Sequence, residues 1–222
     1  MVDPDRFAVS RRSGKAKRQT IRAFNGETAR RALEGCGWGP GREAFGFNKG
    51  QFSLVDLIDA VLDFTGPAEG VISTWTAATA DLRRVHLFIE RRRLLSVKWI
   101  VDFSFENRAP EFAKLLREVF GDENIRTFRT HAKFALLSAG DWRVVLQTSM
   151  NLNQNPRIEN FWLADDPELY AEFSSLVDEV FDFQGAGKGF GEAPGVRKAE
   201  FKRFGTAEGS NFYDLKSGAD IF

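Results

Sequence analysis

Cysteine and histidine are nearly missing from this chain of 222 residues, which has one Cys, Cys36, and two His, His86 and His131. A single thiol closes no internal disulfide, and three such ligands in all make a structural zinc site a poor expectation. No apolar run approaches the roughly 20 residues of a membrane-spanning helix, and the N-terminus lacks the apolar stretch of a secretory signal. Net charge is absent too, because 31 basic residues cancel 31 acidic ones. These absences predict a soluble cytoplasmic protein with no membrane partner, no metal and no cofactor.

What is present in quantity is phenylalanine. The 22 Phe, with 5 Trp and 2 Tyr, lift a composition that is already 43% hydrophobic. That payload can fill a substantial core, so wholesale disorder is excluded and one domain with extensions is expected. The cancelling charges are unevenly spread. Residues 1–32 carry nine basic residues against three acidic ones, a surplus of six, which leaves the rest of the chain with an equal acidic surplus. Arg11, Arg12, Lys15, Lys17 and Arg18 are the densest part of this arm, and such a segment can neutralise phosphates and release counterions. A solvated terminus has the same composition.

The chain divides into three zones. Residues 1–50 read as a basic extension, with a short amphipathic helix around 20–33, followed by a Gly-rich junction (GCGWGPGREAFGFNKG) too poor in pattern for regular structure. Residues 51–184 are densely patterned. Residues 185–222 read as a tail with little core of its own, although Phe201, Phe204, Phe212, Tyr213, Ile221 and Phe222 would suit docking.

Within the central zone, Ser53 and Asp56 have the spacing of a helix cap, and Leu54, Leu57, Ile58, Val61 and Leu62 follow at helical intervals up to Gly66-Pro67. A strand at 71–75, a helix around 82–89, a strand at 97–101 and a helix around 112–119 come next. Strands at 125–128, 133–137, 142–146 and 161–163 precede a helix over 167–183. SAGD at 138–141 joins two of these strands at hairpin distance. Early alternation followed by a hairpin predicts an α/β fold with a mixed sheet flanked by helices.

His86 lies inside a helical run with no acid or nucleophile at a useful spacing, which reads as packing or surface. His131 is different. It opens HAKFALL, where period-two alternation puts His131 and Lys133 on one face. An ammonium beside an imidazole suits a phosphate: the Lys neutralises an oxygen, and the His attacks or moves a proton. The following strand exits through Thr148-Ser149-Met150-Asn151, and a hairpin returns that exit to the neighbourhood of His131. A third strand begins at Glu159. Lys, Ser, Asn and Glu thus gather around one His, a phosphate cradle without a metal-ligand cluster.

The segment from His131 to about Phe173 resembles one catalytic half of the phospholipase D superfamily, and the wider similarity spans roughly residues 51–184. His131 and Lys133 match its H-x-K, Ser149 and Asn151 its S-x-N, and Glu159 its later acidic residue. Two positions depart: Ser138 stands where the motif has Asp, and Thr148 where it has Gly. The interval from His131 to Ser149 is also longer than usual, which a longer hairpin around SAGD would absorb.

The resemblance implies catalysis by His131, Lys133, Asn151 and Glu159, with Ser149, Lys133 and Asn151 binding the phosphate and Glu159 orienting His131. Because the family works with two such halves and this chain has one, it further implies a homodimer with a shared site. The expected activity is metal-independent phosphodiester hydrolysis through a phosphohistidine, with nucleic acid as substrate, DNA ahead of RNA. A non-catalytic dimeric DNA-binding or scaffold protein with the same fold is the alternative.

Overall fold

The computed structural model describes residues 28–153, 157–186, 188 and 190. The basic arm, with Arg11, Arg12, Lys15, Lys17 and Arg18, lies outside the described residues, as does most of the C-terminal tail.

In chain order the elements are α1 (Ala29–Cys36), β1 (Glu43–Asn48), α2 (Leu54–Thr65), β2 (Ala68–Thr74), α3 (Thr79–Glu90), β3 (Leu94–Asp102), α4 (Phe105–Arg108) and α5 (Pro110–Phe120). A 3-10 turn (Asp122–Asn124), β4 (Ile125–Phe128), β5 (Phe134–Ala139), β6 (Trp142–Thr148), β7 (Glu159–Asp165) and α6 (Pro167–Phe183) complete the order. The described strands form one seven-stranded mixed sheet in the order β1-β7-β6-β5-β2-β3-β4. β2, β3 and β4 run parallel, and the others pair antiparallel. This is the α/β architecture that the patterning predicts.

Local chemistry explains the start of α2. Ser53 accepts from Asp56 N while the Asp56 side chain accepts from Ser53 N, a reciprocal capping box. Each such cap is worth about 1 kcal/mol, because it satisfies amide donors that the helix itself cannot. The helix then buries Leu54, Val55, Leu57, Ile58, Val61 and Leu62. α6 lies on the opposite face, where the Phe173 ring meets Phe134 of β5 edge-on at 5.2 Å.

The Gly-rich segment is not an irregular junction. Residues 43–48 form β1, paired along their whole length with β7, and α1 packs on α2 through buried Ala29, Ala32 and Leu33. The physical reason is Gly46. A Cβ there would lie 2.6 Å from Phe161 Cζ, so a glycine in this strand admits the buried Phe161 ring of β7. Its neighbours alternate, with Ala44 and Asn48 buried and Phe45 and Phe47 exposed. The predicted helix at 20–33 is found as α1, Ala29–Cys36, and residues 20–27 lie outside the described residues.

Two further expectations change. The SAGD hairpin is tight rather than long: Ala139 pairs with Trp142, and Gly140 supplies the left-handed turn conformation (φ 50°). The segment after α6 is also not all tail, since Gln184 Oε1 accepts from Thr127 N of the edge strand β4 at 2.7 Å and Phe190 is buried.

Candidate active site

β2, β3 and β4 end at Thr74, Asp102 and Phe128, and β5 begins at Phe134, so these four termini share one end of the sheet. The register brings the end of β6 and the start of β7 to that same end, with Thr148 opposite Phe161 and Glu159 opposite Asn48. Open α/β sheets bind ligands outside the carboxyl ends of their parallel strands, which is where the sequence-predicted residues collect.

His131 does not open a strand. It lies in an irregular stretch, and β5 starts three residues later. The backbone around it is nonetheless tied down. Asp102 Oδ2 accepts from Thr130 N at 3.2 Å, Thr130 Oγ1 accepts from Ala132 N at 3.0 Å, and Ser73 Oγ donates to Ala132 O at 3.1 Å. These bonds use amides and carbonyls that a ladder would have used, which is why strand pairing stops short of His131.

The predicted pairing of His131 with Lys133 is present. Lys133 Nζ lies 2.9 Å from His131 Nδ1 and 3.2 Å from Nε2, and donates to His131 O at 2.7 Å. The His is exposed and the Lys is buried. Burial pushes the Lys133 ammonium below its ordinary value, and the negative charge of Glu159 acts against that shift.

Ser149 is joined to Glu159 by a hydrogen bond from its hydroxyl, which also accepts from Asn160 N at 3.0 Å. The hydrogen bond of Glu159 is thus with Ser149, and among the described residues none joins it to His131, the residue it is expected to orient. Thr148 N donates to Lys133 O at 3.0 Å, which sets the β6 exit beside the H-x-K segment. Asn48 Nδ2 at the end of β1 contacts Met150 Sδ at 3.3 Å, and Leu152 N donates to Thr76 O at 3.1 Å, pinning the stretch that carries Asn151. Asn151 Oδ1 is buried without a hydrogen-bond partner among the described residues. An orphaned acceptor at this cost, about 1–3 kcal/mol, suits a site that receives a water or a ligand donor.

Three residues that the motif reading omitted complete the site. The Trp75 ring, just past β2, lies 5.3 Å from that of His131. The Arg108 guanidinium sits 3.6 Å over Trp75 and donates to Trp75 O at 2.6 Å. Asp102, 5% exposed at the end of β3, lies 3.6 Å from Arg108. The signal that could have found them is positional, since Trp75 and Asp102 stand at the carboxyl ends of adjacent parallel strands. His86 lies on α3 edge-on to Phe120, as its helical setting predicts, while Glu90, one turn on and 4.0 Å away, is an acid at helical spacing that the sequence reading did not count. Among the described residues, no group of three or more His, Cys, Asp or Glu could hold a metal ion.

No protein-family model matches the chain, and no curated protein does. Among solved structures it is similar to Nuc from Salmonella typhimurium, a phospholipase D family member, at 15% identity over 64% of this chain and 94% of that one, TM-score 0.44. It is similar to NucT from Helicobacter pylori at 14% identity over 64% of this chain and 97% of that one, TM-score 0.46. A third is phosphatidylserine synthase from Haemophilus influenzae Rd KW20, at 18% identity over 62% of this chain and 38% of that one, TM-score 0.44. At such identities the chain stands as similar to these proteins, and its chemistry rests on its own residues.

Proposed function

We propose that this protein hydrolyses phosphodiesters, those of nucleic acid, without a metal and through a phosphohistidine on His131. The observation that carries the reading is the buried ammonium of Lys133 within hydrogen-bond reach of both ring nitrogens of His131. A desolvated cation beside an exposed nucleophile is a strong electrostatic clamp for a phosphorane-like transition state. Asn151 can donate to a phosphate oxygen through its side-chain amide N–H groups, and Ser149 stands two residues before it on the same β6 exit.

His131 attacks phosphorus, a P–N bond forms and the P–O bond to the leaving group breaks. The departing oxygen takes a proton from a second acid. Water then attacks phosphorus, gives up its proton to that same group, and the P–N bond breaks to release the monoester. One chain offers a single His131 at this sheet end, so the second imidazole is the His131 of another copy in a symmetric homodimer. The basic surplus of residues 1–32 favours a polyanion, and DNA is placed ahead of RNA.

The test is turnover of bis(p-nitrophenyl) phosphate in excess chelator by the wild-type protein and by His131→Ala. Chelator-resistant turnover that the substitution abolishes is the expected result. Loss of activity in chelator and its return with divalent ions would overturn the proposal.

A further inference from the structure

We infer that Trp75, clamped by Arg108 and Asp102, is the positioning residue for the His131 imidazole; the inference rests on the proposed role of His131 as nucleophile. The need for such a residue follows from two departures. Ser138 removes one motif carboxylate, and Glu159 is bonded to Ser149 instead of His131. Among the described residues, Lys133 Nζ lies within hydrogen-bond reach of the imidazole and the Trp75 ring lies beside it. Lys133 is the charge clamp in the reaction, and a hydrogen bond to the ring that is exchanged for one to a phosphate oxygen does not hold the imidazole throughout. The indole can do so.

Trp75 is itself held firmly. Arg108 covers it at 3.6 Å, within the range where a cation attracts an aromatic face, and its Nη2 bonds the Trp75 carbonyl. Arg108 Nε also donates to Ser104 Oγ at 2.9 Å. Asp102 faces Arg108 on one side and accepts from Thr130 N, the residue before His131, on the other. One buried carboxylate therefore fixes both the backbone that carries the imidazole and the guanidinium that backs the indole beside it. The result is a row of Arg108, Trp75 and His131 at the ends of β2 and β3, the two rings tilted at 58° to each other. A nucleophile held near its attack geometry gains rate through turnover, since misplacement by about 1 Å can cost 10²-fold.

The experiment compares wild type with Trp75→Ala, Trp75→Phe and Arg108→Met. Two measurements are made: kcat and KM on bis(p-nitrophenyl) phosphate, and two-dimensional NMR of the histidine rings. The chain has only two His, so His86 on α3 serves as an internal control. Trp75→Ala should lower kcat at least 10-fold with KM within about threefold, and Arg108→Met should lower it less. Trp75→Phe, which keeps an aromatic wall, should restore most of the loss. The His131 ring signals should shift or broaden in Trp75→Ala while those of His86 stay. Wild-type turnover with unchanged kcat and unchanged His131 signals in Trp75→Ala would overturn the inference. If the wild type hydrolyses nothing, the functional reading fails by itself. The NMR comparison then still decides whether Trp75 holds the ring.

Discussion

The hydroxyl of Ser149 donates to the carboxylate of Glu159 across the β6–β7 pair, and the same oxygen accepts from Asn160 N at 3.0 Å. Glu159 thus fixes the β6 exit that carries Ser149 and Asn151, and its influence on His131 is indirect. Ser149→Ala and Glu159→Gln should each reduce turnover, and the double variant should be little worse than the more damaged single one. Contacting groups couple by about 0.5–3 kcal/mol, so a double-mutant cycle on kcat/KM reads this directly. Additive losses would separate the two residues.

Lys133→Ala should cost on the order of 10²-fold in kcat with the fold intact, as loss of one transition-state donor does. The ammonium acts only when protonated, and burial lowers its pKa from the ordinary 10.5. Activity should therefore fall as pH rises through that lowered value, and the alkaline limb should begin below pH 10.5. Lys133→Arg, charged at every accessible pH, should abolish that limb in whatever activity it retains. A wild-type profile flat through that range would contradict a required Lys133 cation.

Gly46→Ala should destabilise the protein by about 1–3 kcal/mol, the usual cost of overpacking, because the new methyl carbon would meet the Phe161 ring at 2.6 Å. Phe161→Leu in the same chain should recover part of that loss. Urea unfolding of the two variants checks it, and an unchanged midpoint for Gly46→Ala would remove β1 from the packed sheet.

Much of this architecture is legible in the residues, and its gaps have physical causes. α2 is written in its capping residues and apolar spacing, and α6 spans the predicted 167–183, capped by Asp166, which the sequence reading did not name. β1 is hidden because its Gly46 answers to a ring more than a hundred positions away, not to a local turn. His131 and Lys133 are found from alternation, yet they meet on an irregular stretch shaped by Asp102 and Ser73. The Glu159–Ser149 bond and the row of Arg108, Trp75 and His131 are tertiary. Nothing in their local sequence states which hydroxyl a carboxylate meets, or which ring an imidazole lies against.

Equal amounts of wild-type and His131→Ala chains, exchanged by refolding together, should form wild-type, mixed and mutant dimers in a ratio of about 1:2:1. If each centre uses both chains' His131, the wild-type quarter carries nearly all activity, because the two residues act as a unit. Retention of half the activity, with mixed dimers proven by size, would refute the shared centre.

The most direct measurement is to trap the intermediate. A phosphodiester labelled at phosphorus is mixed with the protein, the reaction is quenched in alkali, where phosphohistidine survives, and the peptides are sequenced by mass spectrometry. The account predicts one substrate-derived phosphoryl group, still carrying its remaining ester, on His131, none on His86, and none in the His131→Ala protein. Turnover without a phosphorylated His131, or with the label on another side chain, would contradict it.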